Sequence, residues 1–160
     1  MSFNAVEVFR LAEQIERNGV KFYRRAAELR TSEKEKNLFM DLADMEQEHE
    51  SFFASVRANL ESDQYSDYAP DFDPSSYLNA IADGYVFDAG VEIDEILTGS
   101  ESVADILNMA IAREKDSIVF YVGLKELVPQ NLGRDNIETI IQEEMNHISG
   151  LTAILAELNS

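Results

Sequence analysis

The chain has no cysteine and no tryptophan, only three prolines, and just two histidines against thirty-one acidic residues. Without cysteine there can be no disulfide, no thiolate metal site and no cysteine nucleophile. Any metal must then be held by Glu, Asp and His. No stretch of about 18 apolar residues is present, so no membrane span is expected. The opening "MSFNAVEVFRLAEQ" lacks the basic flank and continuous apolar centre of a signal peptide, which makes the cytoplasm the expected location. Positive charge is also scarce. Thirteen Lys and Arg leave a net charge of −18, a surface that repels polyanions and argues against nucleic acid as a partner. The acidity is uneven: between Glu61 and Glu101 there are eleven acidic residues and no Lys or Arg. Such a stretch reads as a solvated connection; the functional alternative is an electrostatic lure for cations.

What is present is helix. The 160 residues suit one domain spanning 1–160. Helical periodicity marks four segments, about 4–29, 32–60, 102–128 and 135–158. Each opens on a capping signal: Asn4 with Glu7, Ser32 with Glu35, Ser102 with Asp105, and Asp135 with Glu138. No stretch alternates cleanly, so the expected class is all-α. Short connections make the first and second segments one antiparallel hairpin and the third and fourth another. Between the hairpins runs a crossover, about 61–101, in which "SSYLNAIADGYVF" reads as a short helix capped by Ser75 or Ser76. A connection of that length can cross the bundle and set the second and third long helices parallel, the ferritin-like variant of a four-helix bundle.

An internal repeat carries the chemistry. A shift of 98 residues places Ala12, Glu16, Phe22, Tyr23 and Leu29 on Ala110, Glu114, Phe120, Tyr121 and Leu127. The same shift, without a gap, places Glu46, His49, Ser51 and Leu60 on Glu144, His147, Ser149 and Leu158. Each half thus has a Glu, a Tyr seven residues on, and Glu-x-x-His beginning thirty residues after the first Glu. Both histidines of the chain fall in this frame. Positions three, four and seven away share a helix face, and on that test all four glutamates sit on the apolar stripe. A single Glu-x-x-His is commonplace on solvated helices, and an inward Tyr is ordinarily a core aromatic. The duplicated set is different. Four buried carboxylates repel one another and are costly to desolvate. The nearby Arg17, Arg113 and Lys115 point about 100° away, as next neighbours on a helix do. Two divalent cations would balance the four charges, and Glu plus Glu-x-x-His, duplicated, is the inward ligand set of di-metal carboxylate bundles. Oxygen ligands with two imidazoles suit iron or manganese and admit zinc.

With "IERNGVKFY" (Ile15–Tyr23), "MEQEH" (Met45–His49), "AREKDSIVFY" (Ala112–Tyr121) and "EEMNH" (Glu143–His147), the sequence resembles the rubrerythrin-type ferritin-like proteins. That resemblance implies a non-haem centre of two iron ions. Glu16 with His49 and Glu114 with His147 would be terminal ligands, and Glu46 and Glu144 bridges. Tyr23 and Tyr121 would lie behind them, bonded to ligand carboxylates or close to the metals. It also implies reduction of hydrogen peroxide, or oxidation of Fe(II) by oxygen or peroxide, and a homodimer. Two departures stand out. The family commonly carries a cysteine-ligated rubredoxin domain, which a chain without cysteine cannot have, so electrons would come from a separate protein such as a rubredoxin. The family also has a further carboxylate three residues after the third-helix Glu, where this chain has Ser117.

Three functions are in play: a di-iron oxidoreductase, a non-catalytic iron-binding or iron-handling protein, and a metal-free interaction module.

Overall fold

The computed structural model describes residues 4–62, 68–84 and 92–160. Among these residues there are helices and no strand. Six α-helices follow one another: α1 Ala5–Glu28, α2 Glu33–Leu60, α3 Ser75–Gly84, α4 Ile93–Ile96, α5 Val103–Leu124 and α6 Arg134–Leu158. The all-α bundle expected from the periodicity is the observed architecture.

The helix starts show where side-chain caps decide a boundary. Asn4 and Ser102 form full capping boxes with Glu7 and Asp105. Ser32 accepts the N–H of Glu35. Elsewhere the expected boundaries shift. The short crossover helix is capped by neither serine: the Asp73 carboxylate accepts the N–H of Ser75 at 3.0 Å and its hydroxyl at 2.6 Å. The end of "SSYLNAIADGYVF" lies outside the described residues. The third long helix stops at Leu124 and tightens into a 3₁₀ turn, Lys125–Leu127. Pro129 is the cause, because its ring pushes the preceding residue out of the α region, and Val128 is indeed extended (φ −117°, ψ 133°). The fourth long helix begins without a side-chain cap. Gly133 holds a left-handed conformation (φ 111°) that an L side chain rarely adopts. Asp135 lies inside the first turn, and Glu138 pairs with Lys125 at 3.0 Å rather than reaching back to a cap.

Two apolar clusters fill the bundle. One gathers Val8, Phe9 and Ala12 of α1, Phe53 and Val56 of α2, Phe120 and Leu124 of α5, and Ile137 and Ile140 of α6. The other joins Phe22 and Ala26 of α1, Phe39 and Leu42 of α2, Ile106 and Leu107 of α5, and Leu151 of α6. The start of α1 therefore meets the end of α2, the end of α5 and the start of α6. It follows that α1 and α2 are antiparallel, α5 and α6 are antiparallel, and α2 runs parallel to α5. The crossover spans the bundle length: Leu78 belongs to the first cluster and Leu97 to the second. Polar contacts pin it, with Arg25 donating to the Leu97 carbonyl at 3.2 Å and the Tyr77 hydroxyl donating to the Val119 carbonyl. Where the two clusters part, at mid-height, the interior turns polar.

Candidate metal centre

Each long helix contributes to that polar layer from its middle. Glu16 comes from α1, Glu46 and His49 from α2, Glu114 from α5, and Glu144 and His147 from α6. Their helices are amphipathic on the 3.6-residue period, so residues on the apolar stripe are carried inward whatever their own polarity. All six are between 0% and 8% exposed. One oxygen or nitrogen from each of Glu16, Glu46, His49 and Glu144 lies within 4.8 Å of the others. The same holds for Glu46, Glu114, Glu144 and His147. Glu46 and Glu144 belong to both groups.

The two imidazoles face each other at 6.4 Å between ring centroids, 24° from parallel. Both turn Nδ1 inward. His49 Nδ1 lies 3.0 Å from Glu144 and 3.6 Å from Glu16; His147 Nδ1 lies 3.1 Å from Glu144, 3.5 Å from Glu114 and 3.7 Å from Glu46. The tyrosines cross between halves: the Tyr23 hydroxyl donates to Glu114 and the Tyr121 hydroxyl to Glu16. A bond of this kind fixes which oxygen of the carboxylate is free to face the layer.

Charge in the layer is unbalanced. Among the described residues no Lys or Arg pairs with Glu16, Glu46, Glu114 or Glu144. Arg17 instead pairs with Glu50 at 2.9 Å, and Arg113 lies over the Phe22 ring at 5.0 Å. Burial therefore pushes Glu16 and Glu46 well above the usual carboxylate range, and neighbouring carboxylates add to it. Burial likewise pushes Glu114 up to about 7. Glu144 goes the other way. Burial would raise it, but hydrogen bonding with Glu114 and His147 and the nearby His49 imidazole outweigh that and hold it below the usual range. For the imidazoles burial favours the neutral form, yet hydrogen bonds and the surrounding carboxylates win, raising His49 to about 9 and His147 to about 10. Protons are thus the positive charge of the free layer.

A pair of divalent cations fits this donor set better than protons do. Four carboxylates and two imidazoles match two doubly charged ions in net charge, and their hardness suits iron, manganese or zinc. Among the described residues five buried side-chain polar atoms have no hydrogen-bond partner: Arg30 Nε, outside the layer, and four within it, Glu16 Oε2, Glu46 Oε1, His49 Nδ1 and Glu144 Oε1. Buried polar atoms ordinarily have one, and the four in the layer all belong to the ligand groups. Gly19 adds a steric observation. A Cβ there would stand 2.7 Å from Glu46 Oε2 and 3.3 Å from its Cγ and Cδ. Glycine costs a helix interior about 1 kcal/mol relative to alanine, so its place in mid-α1 leaves room for the Glu46 carboxylate. Gly19→Ala is expected to stabilise the metal-free protein slightly or leave it unchanged. It should also weaken metal binding by at least about tenfold, the scale on which misplaced ligand supports act. Paired thermal melts and metal titrations check this, and wild-type affinity in the variant would contradict it.

Sequence reasoning missed three contributors. Glu143, one residue before Glu144, accepts from His49 Nε2 through Oε2 at 2.8 Å. Met45, one residue before Glu46, sets its sulfur 3.2 Å from His147 Nε2. Glu13, buried one turn before Glu16, is held by a two-pronged bond from Arg57 at 2.6 and 3.1 Å. The first two occupy corresponding positions under the 98-residue shift, and that register was the available signal. Nothing in the sequence pairs Glu13 with Arg57, since their meeting depends on how α1 packs on α2. Ser117 is also settled: its hydroxyl donates to the Arg113 carbonyl at 3.1 Å, along its own helix.

No protein-family model matches this chain, and no curated protein matches it. Among solved structures, it superposes on a protein of Thermotoga maritima provisionally assigned as a ferritin-like diiron-carboxylate protein. The TM-score is 0.76, with 23% sequence identity, over 98% of this chain and 97% of that one. The likeness extends over nearly the whole length of both chains, and the fold is therefore ferritin-like.

Proposed function

We propose that the protein is a di-iron oxidoreductase that reduces hydrogen peroxide, or oxygen, with electrons supplied by a separate protein such as a rubredoxin. The observation that carries this reading is the sharing of Glu46 and Glu144 between two four-residue ligand groups. Sharing implies adjacent ions, and adjacency is what two-electron cleavage of an O–O bond asks of one-electron metals. Glu16 and His49 would hold one ion and Glu114 and His147 the other, with Glu46 and Glu144 between them. When bound, the iron pair supplies the two electrons; everything else falls to the protein.

Its residues act in three ways. The two apolar clusters above and below keep bulk water from the layer, so charges within it interact strongly. Tyr23 and Tyr121 orient Glu114 and Glu16. Burial and neighbouring carboxylates push both phenols above their ordinary pKa, so each keeps its proton at neutral pH and remains a donor. Glu114, raised to about 7 in the free layer, gives up its proton when an ion binds there.

Protonation of the free layer sets a pH dependence. At pH 7 the imidazoles, raised to about 9 and 10, carry protons on atoms that a metal must occupy. Binding therefore releases protons, and apparent affinity should rise with pH through 6 to 8 and level off only above about 9–10. Titrations with Co(II) or Zn(II) across that range, with calorimetry in buffers of different ionisation enthalpy, measure it. Affinity independent of pH would contradict the assignment of both Nδ1 atoms as ligands.

The functional test is turnover. Protein loaded anaerobically with Fe(II) and supplied with reduced rubredoxin should consume peroxide through many cycles. A single stoichiometric oxidation that then stops would favour the second reading, an iron-binding or iron-handling protein. Ser117 favours that alternative, because its hydroxyl is bonded to the helix backbone at the position where the resembling family has another carboxylate. A homodimer in the cytoplasm remains part of the proposal; no described helix is long and apolar enough to cross a membrane.

A further inference from the structure

The ligand residues correspond in kind under the 98-residue shift, but the groups behind the two imidazoles are chemically unlike. His49 Nε2 meets the Glu143 carboxylate at 2.8 Å. His147 Nε2 meets the Met45 thioether at 3.2 Å. With Nδ1 of each ring facing the carboxylates of the layer, Nε2 carries the proton and is the donor in both contacts. A carboxylate accepts such a bond strongly; a thioether sulfur is a weak acceptor. A carboxylate behind a ligand imidazole fixes its tautomer and raises its basicity, and losing such a partner costs about 10–100-fold in metal affinity. The setting agrees. The Glu143 side chain is 38% exposed at an open depression it shares with Glu48, His49, Asn136 and Thr139, so the carboxylate keeps part of its hydration while bonded to the ring. Under the same shift Leu38 stands in place of Asn136 and Met45 in place of Glu143.

We infer that Glu143 and Met45 make the two metal positions unequal, with the ion beside His49 bound first and more tightly than the ion beside His147. Glu143 acts through the imidazole and is a positioning residue. The inference rests on the di-metal reading of the layer, and the test separates the two.

In wild type, Co(II) titration should resolve two steps about 10–100-fold apart. Crystals grown with one equivalent should show anomalous scattering at the His49 position. Glu143→Gln, which keeps an acceptor oxygen and loses the charge, should weaken the first step and leave the second unchanged. The double variant Met45→Glu with Glu143→Met keeps the net charge and exchanges the two partners. In it the one-equivalent peak should move to the His147 position, a relocation that a general change in stability or surface charge would not produce. Two indistinguishable steps in wild type, a first peak at His147, or a peak that stays at His49 in the double variant would each overturn the inference while leaving the di-metal reading intact. If the double variant does not fold, equal weakening of both steps by Glu143→Gln overturns it. Binding of no ion by wild type overturns the di-metal reading, and this inference with it.

Discussion

Glu144→Ala should cost the protein both ions rather than one. Glu144 belongs to both ligand groups, is fully buried and lies within about 3 Å of both imidazoles, at 3.0 Å from His49 and 3.1 Å from His147. Removing it takes a ligand from each position together with the carboxylate that aligns each ring. The loss should exceed the roughly 10–100-fold that follows removal of a partner behind a ligand, and it should appear in both binding steps. Glu16→Ala and Glu114→Ala make the contrast, since each residue belongs to one group only, and each should weaken mainly one step. Stepwise Co(II) or Zn(II) titration of the three variants gives the comparison. If Glu144→Ala spares one ion while Glu16→Ala loses both, the shared role assigned to Glu144 is wrong.

The second large effect is on stability. An ion present at 100 times its dissociation constant stabilises the native state by about 2.7 kcal/mol per site. Two sites give about 5 kcal/mol, and at about 2–4 °C per kcal/mol for a chain of this size the melting temperature should rise by about 10–20 °C. His49→Ala and His147→Ala should each forfeit about half of that rise. The metal-free baseline should move with pH in the opposite sense to affinity. Groups whose folded pKa is raised contribute stability that is complete below their unfolded value and is lost as pH climbs through the folded one. His49 and His147, raised to about 9 and 10, lose theirs from pH 6.5 upward. Glu114, raised to about 7, loses its own between about 4.5 and 7, and Glu16 and Glu46 act in the same direction. Glu144, depressed, contributes above 4.5 and matters only in acid. The metal-free protein should therefore melt lower at pH 9 than at pH 6, and the gain on loading should widen. Equal melting temperatures with and without metal, in wild type and histidine variants alike, would contradict this.

Much of this was legible in the sequence because it depends on period and repetition. The inward placement of Glu16, Glu46, Glu114 and Glu144 follows from helical spacing alone, and the 98-residue register joins the halves without knowledge of tertiary contacts. The length of the crossover allows the parallel run of α2 and α5, which the two apolar clusters show. Contacts set by the packing of one helix on another were hidden. Glu143 points off the apolar stripe by the same 100° rule that set aside Arg17, yet α2 brings His49 to it. Glu13 and Arg57 meet for the same reason. Boundaries failed where backbone, not side chain, decides them, at Val128 before proline and at Gly133 with its positive φ.

The most direct test is a crystal structure of protein loaded with Fe(II), with anomalous scattering measured at the iron edge. Two peaks are expected in the mid-bundle layer, one in contact with Glu16 and His49 and the other with Glu114 and His147. Glu46 and Glu144 should touch both. A layer without anomalous signal, a single ion, or ions held by the acidic crossover instead would contradict the account.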